Sequence, residues 1–231
     1  MRAKLTAFSG STILLLAVLN LTAQTTEPAK GGANPPALAL VILYDGSGSM
    51  KDNVPDIHGK PTPKYKIADD AVVAIAKKVE DYRVAKNINI DAGLVYFVDA
   101  KVKTGIPLQP FAAKGFQEWA RNFQSPIGGT PLGNGIAEAN KMLAQSKALK
   151  RHILVITDGE SNVGDSPEVV IRRLSSKANP DSIYFVAFDV SAKVFDPVKK
   201  LGATVVSAKN ELELNNQVDA LLGKKILLEA E

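Results

Sequence analysis

Apolar residues follow two rhythms along the chain. In the first the run is unbroken. Leu38–Tyr44 (LALVILY), His152–Thr157 (HILVIT) and Ser182–Phe188 are apolar nearly throughout, as expected of strands buried on both faces. Ile88–Val98 predicts another strand, Lys101–Pro107 its hairpin partner, and Ala203–Val206 a short final strand. The second rhythm is helical. Ile67, Ala71, Ile75, Val79 and Tyr82 recur every three or four positions, which marks one face of a helix. Leu132, Ile136, Ala139 and Leu143 repeat this spacing, and so do Leu214, Val218 and Leu221. Phe111–Phe123, which holds the only tryptophan, Trp119, predicts a shorter helix.

Punctuation residues agree with these rhythms. Thr130-Pro131 and Ser166-Pro167 each place a capping hydroxyl before a proline, a helix-start signal. Asp196-Pro197 opens a brief helix that Gly202 closes, and Asn210 with Glu213 forms a capping-box pattern. Lys51–Lys64 is polar, holds three prolines and predicts a loop. Strands thus alternate with helices. The fold class implied is α/β, a Rossmann-like, doubly wound, mostly parallel sheet with helices on both faces. Ligands of such sheets bind beyond the carboxyl ends of the strands.

Upstream of the first strand the pattern changes. Arg2 and Lys4 precede the apolar stretch Thr12–Leu21, followed by the small residues Thr22 and Ala23. That is a signal-peptide pattern, too short to span a bilayer comfortably. Residues 1–23 are therefore expected to be a signal peptide, with an uncleaved anchor as the alternative that would bring membrane contact. Residues 24–37 predict a flexible linker and 38–228 a single domain. An extracytoplasmic location follows, secreted or periplasmic. The net charge of +4 includes Arg2 and Lys4, so the rest of the chain carries only +2. This is too weak to indicate nucleic acid as a partner. With no cysteine there are neither disulfides nor thiolate metal sites.

Candidate chemistry lies just after the buried runs. LALVILY is followed by Asp45-Gly46-Ser47-Gly48-Ser49, and HILVIT by Asp158-Gly159-Glu160. Alternate residues Asp45, Ser47 and Ser49 can converge because the glycines permit a tight turn. Gly128-Gly129-Thr130 is a second glycine-rich turn. Two carboxylates and three hydroxyls suit a hard divalent cation: Mg²⁺ first, then Mn²⁺, then Ca²⁺, which takes more ligands.

Three segments, Asp45-Gly46-Ser47-Gly48-Ser49-Met50, Gly129-Thr130-Pro131-Leu132 and Thr157-Asp158-Gly159-Glu160, resemble the metal-ion-dependent adhesion site of von Willebrand factor A domains, of the bacterial secreted type. The resemblance covers nearly all of residues 38–228. It implies that Ser47 and Ser49 ligate directly and that Thr130 does so in one conformation only. It further implies that Asp45 and Asp158 act through water and that Glu160 orders water behind them. An acidic side chain of a protein partner would complete the coordination. Because Thr130 is also the expected helix cap, the two roles compete for its hydroxyl.

These features imply a metal-dependent protein-binding module rather than an enzyme. Gly-x-Ser-x-Gly, the P-loop and His-Glu-x-x-His are all missing from the sequence. The alternatives are a metal-dependent hydrolase or a structural component of a surface assembly. His58 is expected to be a solvated loop residue and His152 a buried structural histidine with its nitrogens satisfied. Trp119 is expected to belong to the core.

Overall fold

The computed structural model describes residues 35–230, so the expected signal peptide and most of the linker lie outside the described residues. Strand β1 (Leu38–Asp45) is buried at every position. A hairpin of β2 (Asn53–Pro55) and β3 (Pro61–Pro63) follows, then helix α1 (Lys64–Lys86). Next come β4 (Ile90–Val98), β5 (Lys101–Pro110), α2 (Ala113–Asn122), α3 (Leu132–Leu143) and β6 (Lys150–Thr157). The chain continues through α4 (Pro167–Ser175), β7 (Ser182–Phe188), α5 (Asp196–Lys199), β8 (Thr204–Ala208) and α6 (Glu211–Leu221).

Six strands form one sheet in the order β5-β4-β1-β6-β7-β8. All neighbours are parallel except β4 and β5, which pair as the expected antiparallel hairpin. β1 sits in the middle, pairing Leu38 to Tyr44 with Lys150 to Ile156 on one side and with Ile90 to Tyr96 on the other. Its unbroken hydrophobicity has a direct cause. Leu38, Leu40, Ile42 and Tyr44 pack on α1, α2 and α6, while Ala39, Val41 and Leu43 pack on α3 and α4. Both faces are covered, so neither parity of position can be polar. The doubly wound α/β class is the fold observed.

The connections after β1 and β6 lead to opposite sides of the sheet: α1 takes the chain towards β4, and α4 towards β7. Between these two strands the sheet opens a crevice at their carboxyl ends.

Four local expectations change. The segment predicted as a loop contains the β2–β3 hairpin, whose turn is held by Asp56: its Oδ1 accepts from the backbone amides of His58 and Lys60, each at 2.8 Å. Thr130 does not cap α3; Pro131 occupies the cap position and no side chain caps the helix. At Asn210 half of the capping box forms. Its Oδ1 accepts from the Glu213 amide at 2.9 Å, whereas the Glu213 carboxylate accepts from the Lys209 amide instead. His152 is fully buried on β6, but neither ring nitrogen has a hydrogen-bond partner. It faces the α6 side beside Tyr184, and burial lowers its pKa to about 4, which keeps the ring neutral. His58 is exposed as expected. Trp119 is half-buried and packs edge-on against Tyr44, with ring centroids 5.0 Å apart.

Candidate metal centre

The crevice between β1 and β6 gathers the three loop segments. Asp45 ends β1 and is completely enclosed. Its Oδ1 accepts from the Ser47 amide at 2.8 Å and its Oδ2 from the Thr157 hydroxyl at 2.6 Å. Gly46 then passes so close to β4 that a side-chain carbon there would lie 2.4 Å from the Phe97 carbonyl oxygen. Ser49 donates its hydroxyl to Asp158 Oδ1 at 2.8 Å, which leaves Ser47 as the donor in the 3.2 Å contact between the two serine hydroxyls. Four of the five expected residues therefore form one hydrogen-bonded cluster: Asp45, Ser47, Ser49 and Asp158.

Thr130 makes no hydrogen bond to this cluster among the described residues. It is buried, and backbone contacts set its place. Its amide donates to Asn162 Oδ1 at 2.7 Å, and its carbonyl accepts from the Asn162 amide at 3.1 Å and the Ser161 hydroxyl at 3.2 Å. The glycine turn before it is tied to the first loop by the Gly48 amide, which donates to the Gly128 carbonyl at 2.9 Å. Released from capping, the Thr130 hydroxyl has no competing role at the helix start. Glu160 is exposed and makes no hydrogen bond or ion pair within the described residues.

The sequence reading missed the cation at this site. Lys64, the first residue of α1, is 4% exposed, and its ammonium lies 2.7 Å from Asp158 Oδ2. The same nitrogen is 3.4 Å from Asp189, just after β7, and 3.8 Å from Asp52 in the first loop. A signal for Lys64 did exist: it stands three residues before Ile67, on the apolar stripe of α1. Thr157 and Asn162 were also missed as supports, although Thr157 lies within the third motif segment.

Electrostatics at the site are unbalanced. Burial, and then the charge of Asp158, raise the Asp45 pKa to about 6, against the opposing hydrogen bonds from Ser47 and Thr157. Burial works against the charge of Lys64, yet Asp158 and Asp189 hold its pKa above the ordinary lysine value. Two enclosed carboxylates thus lie in one hydrogen-bonded cluster with the hydroxyls of Ser47, Ser49 and Thr157. This oxygen-only donor set fits a hard divalent cation. Among the described residues no three His, Asp or Glu side chains cluster as metal ligands, so such a centre depends on hydroxyls.

A sequence profile of the von Willebrand factor type A domain matches residues 40–160, slightly more than half of the chain. The chain belongs to the von Willebrand factor type A domain family. Residues 40–160 take in all three candidate segments, from Asp45 through to Glu160. Curated protein sequences give no match to the chain. Among solved structures, the PilB minor pilin of Streptococcus sanguinis is similar at 15% identity with a TM-score of 0.68; the match covers 89% of this chain and 64% of the pilin. The chain thus spans less than two thirds of that protein. The von Willebrand factor domain of the type V pili tip protein Mfa5 from Porphyromonas gingivalis is similar at 15% identity and a TM-score of 0.63, covering 85% of this chain and 97% of that one. An aerotolerance-related membrane protein from Bacteroides fragilis gives 15% and 0.64, covering 83% and 99%. At these identities the likeness is one of fold. No helix among the described residues is long and apolar enough to cross a membrane.

Proposed function

We propose that this von Willebrand factor type A domain is an extracytoplasmic protein-binding module whose divalent cation centre recognises a carboxylate on its partner. One observation carries the reading: the hydrogen-bonded cluster of Asp45, Ser47, Ser49 and Asp158 at the carboxyl ends of the two central strands. Ser47 and Ser49 would hold the cation directly, with Asp45 and Asp158 supplying charge directly or through water and Thr130 joining in one conformation. Mg²⁺ suits this hydroxyl-rich set best, with Mn²⁺ and Ca²⁺ as substitutes. A bound cation supplies an exposed, under-neutralised positive charge, and a partner carboxylate answers it.

The chain's own residues do the positioning. Thr157 and the Ser47 amide fix both oxygens of Asp45, while Asn162 fixes the backbone of Thr130. Support for a surface role comes from similar structures that are pilus proteins, a minor pilin and a pilus tip protein. The apolar segment Thr12–Leu21 supports export from the cytoplasm.

The test is affinity capture from cell-envelope extract, in Mg²⁺ and in chelator, with wild type and Asp45→Asn. Partners should be retained only by wild type in Mg²⁺, and amidation of the extract's carboxylates should abolish capture. Identical partner sets in every arm would contradict metal-dependent recognition.

A further inference from the structure

Lys64 occupies an unfavourable position by every local criterion. It is buried, where an ammonium loses hydration. It is also the first residue of α1, where the helix dipole presents its positive end. Nothing in the first turn of α1 is acidic to offset it. What holds it there is the ring of carboxylates contributed by three different loops: Asp158 at 2.7 Å, Asp189 at 3.4 Å and Asp52 at 3.8 Å. Only Asp158 among these is enclosed, with a side chain 0% exposed, against 42% for Asp189 and 73% for Asp52. Asp158 is also the carboxylate shared with the hydroxyl cluster. Its Oδ1 faces Ser49 and its Oδ2 faces Lys64.

We propose that Lys64 is a built-in counter-cation of the metal centre, which holds the crevice together without metal and weakens the affinity for divalent ions. The inference rests on the cation-centre reading given above. A fixed positive charge on the far oxygen of Asp158 repels an incoming divalent ion and neutralises half of the pair formed by Asp45 and Asp158. The enclosed setting limits screening by water and salt. With Lys64 removed, Asp45 and Asp158 would face each other uncompensated. The cation-free fold then loses stability, and a divalent ion restores it. Lys64 in this way makes the centre one that loads only where divalent ions are abundant.

The test is calorimetric titration of the full chain with MnCl₂, for wild type, Lys64→Gln and Lys64→Arg, alongside thermal unfolding in chelator and in Mn²⁺. Lys64→Gln is expected to bind Mn²⁺ at least tenfold more tightly than wild type. Lys64→Arg keeps the charge and should stay within about threefold of wild type. In chelator Lys64→Gln should unfold at a lower temperature, and Mn²⁺ should raise that temperature more than it does for wild type. Should Lys64→Gln fold only when Mn²⁺ is present, the inference is supported, because the ion then replaces the ammonium.

Binding by Lys64→Gln but not by wild type supports the inference and removes cation binding from the wild-type function. Equal affinities in wild type and Lys64→Gln overturn the inference while leaving the cation centre standing. Absence of binding in all three proteins overturns both. Failure of Lys64→Gln to fold even in Mn²⁺ overturns the counter-cation role and leaves Lys64 a structural residue.

Discussion

Replacing Asp45 with asparagine should stabilise the cation-free protein at pH 8 while removing its capacity to bind a divalent ion. In the fold, burial and Asp158 raise the Asp45 pKa from 3.8 to about 6. A group whose pKa is raised by folding favours the fold below its unfolded value and loses that contribution as pH rises through the folded value. At pH 8 the ionised Asp45 therefore costs stability, on the order of 2–3 kcal/mol. Asparagine keeps the Oδ1 contact to the Ser47 amide. The Thr157 hydroxyl, which now donates to Oδ2 at 2.6 Å, can turn to the Gly159 carbonyl 3.3 Å away. Thermal unfolding in chelator should show Asp45→Asn melting about 5–10 °C above wild type at pH 8. The gap should narrow as pH falls from 6 towards 4. A variant melting below wild type at pH 8 would mean that Asp45 is held by contacts stronger than its burial penalty. Stability given up for charge in this way is a mark of a functional group.

A second large effect is expected at Gly128, which precedes Thr130 by two residues. Its φ is +82°, and a side-chain carbon there would lie 2.7 Å from the Asp99 Cα and 2.8 Å from the Ala100 amide nitrogen. Those atoms are backbone, so neither can swing away. The turn they belong to is already constrained, since Asp99 and Ala100 both have positive φ and the Asp99 amide donates to the Ile127 carbonyl at 2.7 Å. Gly128→Ala should cost about 2–4 kcal/mol, from backbone strain together with the steric clash. The Gly48 amide, bonded to the Gly128 carbonyl, would be displaced with it. Denaturant unfolding measures the loss, and an unchanged midpoint would show that the turn relaxes freely.

How much of this was legible in the sequence depends on the kind of interaction. The sheet was readable because LALVILY and HILVIT are apolar at both parities, which only a strand covered on both faces requires. The positions of Asp45 and Asp158 followed from where those runs stop. Their joining by Ser47 and Ser49 was implied by the motif and is present as a hydrogen-bonded chain. Less was legible where one residue's role depends on distant backbone. Thr130 has the residue type of a cap, but Asn162 and Ser161 grip its backbone and Pro131 takes the cap position. Lys64 looked like the last residue of a polar loop. Its burial depends on three carboxylates from loops far apart in sequence, and no local pattern reports their convergence. The β2–β3 hairpin was hidden because its strands are proline-rich and its turn relies on the Asp56 side chain. Unsatisfied nitrogens at His152 were equally unreadable, since a buried histidine usually finds a partner.

The cation centre itself is tested most directly by calorimetric titration of the wild-type protein with MgCl₂ and MnCl₂, after exhaustive treatment with chelator. The expected result is one site per chain, lost in Asp45→Asn. A flat titration with both ions, or a site that persists unchanged in Asp45→Asn, would contradict the assignment of Asp45, Ser47, Ser49, Thr130 and Asp158 as its ligands.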